Sequence, residues 1–227
     1  MILLAVCFFM IYLVLYILGG SYERFSGSPM PILVISLPGS PRRERVMQKL
    51  ARYKGRVIII DGVLVKTEDA KRKALRSIDL DYDEMKDSIK LATGELGCTL
   101  AHINCCKYIL EHKIDTALIL EDDIVLKDPN AIDYIENFDI SKNKGLEYMF
   151  LHCTTGYGTQ AQIVTSKGAE TLYKNRKDLI ILDAIDNVIW GYKIPITYVV
   201  GPQLFDHEDE YNNVNTSERI QIDRGIL

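Results

Sequence analysis

Short apolar runs rich in β-branched residues recur along this chain and alternate with stretches of helical pattern. The first run, ILVISL at residues 32–37, is followed at once by Pro38, Gly39 and Ser40. Runs of this length without polar alternation suit strands that are buried on both faces of a sheet. Further strands are predicted at residues 56–60, 116–120, 147–151, 162–165 and 196–200. This alternation predicts an α/β domain with a mostly parallel sheet flanked by helices.

Helical signals fill the intervals between these strands. Ser40 is predicted as an N-cap, because Pro41 suits the first position of a helix. Further helices are predicted over residues 93–111, after Ser166 as N-cap, and over residues 183–192. Residues 63–92 are charged and weakly periodic, so we predict a loop with some helix. The polar tail from Gln203 is predicted to be irregular.

The first 18 residues, MILLAVCFFMIYLVLYIL, carry no charged side chain. A helix of that length spans about 27 Å, close to the hydrocarbon thickness of a bilayer. We therefore predict a membrane protein with a single-pass anchor at residues 1–20, a stalk at 21–30 and a folded domain at 31–227. A cleaved signal peptide is the alternative, although no Lys or Arg precedes the apolar run. Too few cations flank the run to fix the side of the membrane.

Composition excludes some classes of protein. Lys and Arg number 27 against 31 Asp and Glu, which argues against nucleic acid as a partner. Five cysteines without a CxxC pair do not form a disulfide framework. A helical face that carries Cys98, His102, Cys105 and Cys106 suggests zinc, but no second Cys/His pair is apparent. We interpret it as a buried helix face, with His102 available for a polar contact to substrate.

Glu121, Asp122 and Asp123 directly follow the predicted strand TALIL. In parallel sheets, ligands bind beyond the carboxyl ends of the strands. Adjacent carboxylates repel one another, and Mg²⁺ or Mn²⁺ commonly bridges such groups to phosphates. The triplet is therefore a candidate site for a divalent cation, and a solvated acidic turn is the alternative.

Two other features are candidates for chemistry. Gly94 and Gly97 open the predicted helix at GELGC, where bare backbone N–H groups favour an anion. The alternative is a helix that crosses a neighbour closely. Asp183 and Asp186 lie three residues apart and are candidates for a general base, although acidic residues are also favoured at helix starts. His207, in the cluster HEDE, is a further polar candidate.

Read together, the segments ISLPGSPRRERVMQKL, IIIDG, GELGCTLAHINCCKYILEH and ALILEDDIVL resemble glycosyltransferase family 25. This family includes bacterial lipooligosaccharide galactosyltransferases and the procollagen galactosyltransferases. The likeness covers residues 31–220 and continues through IVTSKGAETL, LDAID and Pro202-Gln203. Ser36 and Ala101 depart from the family's usual Asn and Ser at those positions.

The resemblance implies a GT-A-like, Rossmann-like fold and inverting transfer of galactose or glucose from a UDP-sugar. The acceptor would be a hydroxyl of a glycan, a glycolipid or hydroxylysine. It implies Mn²⁺ or Mg²⁺ at Glu121, Asp122 and Asp123, and an aspartate of the family pattern falls on Asp183. Donor binding is assigned to Arg42, Arg43, Asp61, Gly62, Gly94, Glu95, Gly97 and His102.

Two other classes of function compete with this one. A non-catalytic, membrane-tethered carbohydrate-binding protein of the same fold would not need the intact carboxylates at residues 121–123. A phospho-acceptor signalling domain also clusters carboxylates at strand ends. Its acidic pair normally follows the first strand, and the GELGC helix would go unexplained.

Overall fold

The computed structural model describes residues 29–136, 146–151, 159–182, 185, 189, 196–198 and 204–207. Its strands are β1 (Ile32–Ser36), β2 (Val57–Asp61), β3 (Thr116–Glu121), β4 (Ile124–Leu126), β5 (Tyr148–Phe150), β6 (Ala161–Thr165), β7 (Ile196–Tyr198) and β8 (Phe205–His207). Its helices are α1 (Pro41–Lys49), α2 (Glu68–Ser77), α3 (Tyr82–Met85), α4 (Thr93–Glu111), α5 (Ala131–Glu136), α6 (Ser166–Lys174) and α7 (Arg176–Ile181). A 3-10 helix, Ala51–Arg56, joins α1 to β2.

Six of the strands form one sheet in the order β2-β1-β3-β6-β5-β7. Strands β1, β2 and β3 run parallel, as do β5 and β7, whereas β6 runs antiparallel to both β3 and β5. The predicted mixed α/β fold with a mostly parallel sheet is therefore confirmed. The reversed strand β6 was not predicted, because its apolar run carries no signal of direction.

Helices cover both faces of the sheet. One apolar cluster lies between the sheet and helices α2, α4, α6 and α7. The other includes residues of α1, the 3-10 helix and α5. Because neighbouring residues of a strand face opposite ways, Ile163 of β6 belongs to the second cluster and Val164 to the first. A buried, continuous apolar strand is what such two-sided cover requires.

Capping signals in the sequence predicted the ends of several helices to within one residue. Ser40 caps α1 by accepting from the backbone N–H of Arg42, with Pro41 as the first helical residue. Helix α4 has the predicted bounds. The N-cap of α6 is Thr165, whose hydroxyl accepts from Gly168, so the prediction of Ser166 was wrong by one residue.

Residues 63–92, predicted as a loop with some helix, contain the helices α2 and α3. Two other elements depart from the expectations. Helix α7 was not predicted. The tail from Gln203 is not wholly irregular, because β8 pairs antiparallel with β4 and places His207 opposite Ile124. Such a pairing depends on a contact between distant segments, which the local pattern of a polar tail does not reveal.

Several predictions concern residues outside the described ranges. Of the predicted helix at residues 183–192, only Ile185 and Ile189 are described, and both are helical and buried. Within the described part of the chain, no helix is long and apolar enough to cross a membrane. Residues 1–20 lie outside it, so the anchor stays a prediction.

Candidate active site

The carboxyl ends of β1 and β3 meet at the acidic run. The two strands are parallel, with Ile35 in register with Glu121, so Ser36 is next to the turn that follows β3. The buried Ser36 hydroxyl donates a hydrogen bond of 2.6 Å to Oδ2 of Asp122. The strand-end position expected for the acidic triplet is thus observed, and the first strand contributes directly to it.

Asp123 lies in an unusual environment for a carboxyl group. Its Oδ1 is buried and has no hydrogen-bond partner. Burial, the neighbouring charge of Glu121 and that of Asp122 raise the pKa of Asp123 to about 7, while Arg42 opposes the shift. A buried oxygen without a donor is costly unless a cation or a ligand satisfies it.

Glu121 is held by two donors from different elements. Its Oε1 lies 3.2 Å from Nε2 of His102 on α4 and accepts a 2.6 Å hydrogen bond from the hydroxyl of Thr159. Its backbone N–H also donates to the carbonyl of Gln160 at 2.9 Å. Both the strand end and the side chain of Glu121 are therefore fixed by the segment that leads into β6.

A buried polar chain continues behind His102. Nδ1 of His102 lies 2.7 Å from Nε2 of Gln162, and the hydroxyl of Tyr148 donates to Oε1 of the same amide. An amide nitrogen can only donate, so Nδ1 of His102 accepts and the ring proton resides on Nε2. This nitrogen then donates to Glu121.

Sequence reasoning missed Thr159, Gln162 and Tyr148. A signal was nevertheless present for two of them, because Tyr148 and Gln162 are residues with polar groups in predicted strands that are mainly apolar. A polar side chain on a buried strand needs a partner. The partner could not be identified without the register between β5 and β6, which brings Tyr148 opposite Val164 and Phe150 opposite Gln162.

A basic group joins the ends of β1 and β2. One guanidinium nitrogen of Arg43, on α1, lies 2.6 Å from both the carbonyl of Ser36 and Oδ1 of Asp61. The N–H of Gly62 donates to that same carbonyl at 2.8 Å. A Cβ at Gly62 would lie 3.0 Å from the backbone nitrogen of Leu37, so this position favours glycine. Arg43, Asp61 and Gly62, all predicted to bind donor, therefore adjoin the acidic run.

The start of α4 is arranged chiefly for packing. A Cβ at Gly97 would collide with the carbonyl oxygen of Val63, which supports the close-crossing alternative for this glycine. Glu95 accepts a hydrogen bond of 3.0 Å from the backbone N–H of Ala92 and so caps the helix. Gly94 lies in the same first turn. Of the predicted donor-binding residues on α4, His102 contacts the acidic run at Glu121.

Cys98, His102 and Glu121 present their ligand atoms within 4.8 Å of one another. In the observed arrangement Nε2 of His102 lies 3.2 Å from Oε1 of Glu121. Cys105 and Cys106 are buried in the core, and burial raises the pKa of Cys106 to about 12. The buried helix face that we predicted is therefore observed at Cys105 and Cys106.

The structure gives little information on the candidate bases. Asp183 and Asp186 lie outside the described residues. The backbone of His207 pairs with Ile124, the residue that follows Asp123, so β8 runs beside the acidic turn. Assignment of the base therefore stays a prediction.

Fold and site define an α/β domain whose polar side chains converge at the carboxyl edge of its parallel strands, where such domains bind ligands. Residues 30–151, just over half of the chain, match the sequence model of glycosyltransferase family 25, described as an LPS biosynthesis protein. The chain belongs to this family.

Curated relatives match a smaller part of the sequence. Procollagen galactosyltransferase 2 from Mus musculus and that from Homo sapiens are each 27% identical over 85 residues. The match covers 37% of this chain and only 14% of each relative's length. For this chain, the activity, substrates and partners of those longer proteins are therefore only proposals.

Solved structures show more distant likenesses. A glycosyltransferase involved in the glycosylation of the major capsid of PBCV-1 aligns with 88% of this chain and 98% of its own, at 13% identity and a TM-score of 0.45. The glycosyltransferase GlyE of Streptococcus pneumoniae TIGR4 aligns with 82% of this chain and 47% of its own, at 13% identity and a TM-score of 0.44. Likenesses this distant say nothing about donor or acceptor.

Proposed function

We propose that this protein transfers galactose or glucose from a UDP-sugar, with inversion, to a hydroxyl of a glycan, a glycolipid or hydroxylysine. Membership of glycosyltransferase family 25 supports a role in glycosyl transfer. The GT-A form of the fold and attachment to a membrane through residues 1–20 belong to the same proposal. The single observation that carries it is the buried, unpartnered Oδ1 of Asp123, next to the charges of Glu121 and Asp122.

That arrangement fits a divalent cation. Hard cations such as Mn²⁺ and Mg²⁺ take oxygen ligands, and the turn offers the carboxylates of Glu121, Asp122 and Asp123. A cation would satisfy the orphaned oxygen and would offset the burial and the repulsion that raise the pKa of Asp123. When bound, it would supply positive charge to the diphosphate leaving group. Glu121, Asp122 and Asp123 would hold it.

The donor side of the proposed site lies at the ends of β1 and β2. Arg43 is fixed there by the Ser36 carbonyl and Asp61, both at 2.6 Å, and Arg42 is close enough to lower the pKa of Asp123. A guanidinium group is suited to phosphate oxygens. We therefore assign Arg42 and Arg43 to binding of the nucleotide diphosphate. Asp61 and Gly62 would line the donor site at the end of β2.

The acceptor side needs a base. In an inverting displacement the acceptor hydroxyl loses its proton as it attacks the anomeric carbon. Carboxylates that hold a cation retain little basicity, so Glu121, Asp122 and Asp123 are unsuited to this step. Asp183 is the proposed base, and Asp186 and His207 are the reserves.

The test is a donor screen on the full-length protein. UDP-sugars and GDP-sugars are incubated with Mn²⁺, with Mg²⁺ or with EDTA, and release of the nucleotide diphosphate is recorded. We expect turnover of UDP-galactose or UDP-glucose that EDTA abolishes. Turnover of no donor would favour the carbohydrate-binding alternative, and full activity in EDTA would exclude the metal role.

Two variants sharpen the screen. Asp123→Asn keeps the shape of the side chain but removes a ligand charge, so turnover should fall by several orders of magnitude, since loss of a metal ligand removes several kcal/mol of charge stabilisation. Glu170→Gln, at an exposed position on α6, is the matched control and should behave as wild type. Near-wild-type turnover in Asp123→Asn would contradict the proposal.

A further inference from the structure

The side chain of Gln162 is completely buried, although it lies on a strand whose other residues build the core. It shares the face of β6 with Val164, towards α4, while Ile163 between them faces the opposite side of the sheet. An amide in such a place is costly unless both ends are hydrogen-bonded. Its carbonyl accepts from Tyr148 and its amino group meets His102, so both ends are used.

The orientation of this amide determines which ring nitrogen of His102 carries the proton. The Tyr148 hydroxyl occupies the carbonyl end of Gln162, which leaves the amino end to donate to Nδ1 of His102 at 2.7 Å. With Nδ1 accepting, the proton lies on Nε2, and Nε2 faces Oε1 of Glu121 at 3.2 Å. The reversed amide would place its carbonyl oxygen against Nδ1, which would then have to donate, and a neutral ring would leave Nε2 without a proton against a carboxylate oxygen.

We propose that Gln162 is a positioning residue, which holds the carboxyl group of Glu121 by fixing the Nε2-protonated form of His102. Tyr148 orients the amide, and Thr159 supplies the second donor to Oε1 of Glu121. Two donors on one carboxylate oxygen restrict the rotation of the group. The proposed cation then meets a preset ligand at the end of β3, which is the part of the inference that rests on the proposed function.

The first experiment locates the proton directly. The full-length chain contains four histidines, so selective ¹⁵N labelling gives few signals. We expect the ring proton of His102 on Nε2, with Nδ1 unprotonated. His112 is the internal control for the opposite form, since its Nδ1 lies 3.0 Å from the carbonyl of Tyr108 and must donate. A proton on Nδ1 of wild-type His102 would overturn the proposal.

Gln162→Glu extends this measurement. The variant places a carboxylate oxygen where the amide nitrogen was, and that oxygen accepts from Nδ1. We expect a proton to appear on Nδ1 of His102, while the His112 signals stay unchanged. If His102 keeps the wild-type pattern in a folded Gln162→Glu protein, the amide does not control it and the proposal fails.

The second experiment measures binding of Mn²⁺ alone, without donor or turnover. Gln162→Met removes the donor to Nδ1 at similar length, and we expect the affinity for Mn²⁺ to fall about 10- to 100-fold, the usual effect of removing a partner behind a metal ligand. Ile163→Val, the neighbour on the opposite face, controls for a general loss of packing and should leave the affinity unchanged. Equal affinity in wild type and Gln162→Met would overturn the positioning role.

The two experiments separate two failures. If the wild-type chain binds no Mn²⁺ but the proton positions follow the expectation, the metal role of the acidic run fails and the control of His102 by Gln162 stands. If Mn²⁺ binds normally and the proton positions do not follow, the positioning proposal alone fails.

Discussion

The hydroxyl of Ser36, at the end of β1, donates a 2.6 Å hydrogen bond to Oδ2 of Asp122, in the turn that follows β3. The carbonyl of the same residue accepts from Arg43 and from Gly62. Ser36 thus joins the acidic run to Arg43 on α1 and to Gly62, the residue that follows β2. One buried residue couples the proposed cation and nucleotide parts of the site.

Removal of this hydroxyl should loosen Asp122. A hydrogen bond to a charged group contributes about 1.5–3 kcal/mol, so Ser36→Ala should weaken Mn²⁺ binding roughly 10-fold or more. The fold should persist, because the backbone contacts of Ser36 with Arg43 and Gly62 do not involve the hydroxyl. Calorimetric titration of Mn²⁺ into wild type and variant measures the effect. Unchanged binding would mean that the other contacts of Asp122 suffice to hold it.

The raised pKa of Asp123 predicts how stability depends on pH without a metal. The folded protein keeps this proton up to about pH 7, whereas the unfolded chain releases it near the ordinary value of 3.8. The native state therefore binds more protons across this window, and the free energy of unfolding falls as pH rises from about 4 to 7. The slope is at most about 1.4 kcal/mol per pH unit and vanishes above the folded pKa.

Urea unfolding in EDTA from pH 5 to pH 8 tests this dependence. The difference in the free energy of unfolding between wild type and Asp123→Asn isolates the group, because the other titrations are shared. We expect the wild type to lose stability relative to the variant as pH rises, and saturating Mn²⁺ to reverse that loss. Parallel pH profiles for the two proteins would show that Asp123 titrates normally.

Close packing at Gly97 predicts a purely structural effect. A methyl group there meets the carbonyl oxygen of Val63, which cannot move without distorting the segment after β2. Gly97→Ala should therefore destabilise the fold by about 1–3 kcal/mol. Gly55→Ala is the matched control, since nothing lies within 4 Å of a Cβ at that position. Equal melting temperatures for the two variants would contradict the close crossing.

Local chemistry explains which parts of the fold could be predicted from sequence. Capping signals predicted the start of α1 at Ser40 and Pro41, and local pattern predicted the bounds of α4. The acidic run directly after an apolar stretch indicated the end of a strand. The direction of β6 and the pairing of β8 with β4 depend on contacts between distant segments, and no local pattern specifies them. The same limit hid Gln162 and Thr159. Thr159 is an ordinary polar residue in sequence, and Gln162 stands out only as a polar residue in a predicted strand. Their partners, Glu121 and His102, depend on the tertiary packing.

The last prediction concerns the base on the acceptor side. The carboxylates at residues 121–123 would face the leaving group, so a different carboxylate must receive the proton from the opposite side of the sugar. Asp183 follows the apolar run LIIL, which contains the last residues of α7, and Leu179 and Ile180 of that run are buried. Asp183 also matches an aspartate of the family pattern.

Asp183→Asn preserves the size of the side chain and removes its basicity. We expect transfer to an acceptor to fall at least 100-fold, since general-base catalysis typically contributes 10²–10⁴, while affinities for UDP and Mn²⁺ stay close to wild type. Transfer is measured at saturating donor, and affinities by titration. Asp186→Asn is the companion variant, three residues further on. If the Asp183→Asn protein loses donor affinity but turns over bound donor normally, Asp183 is a donor-binding residue. The base would then be sought at Asp186 and His207.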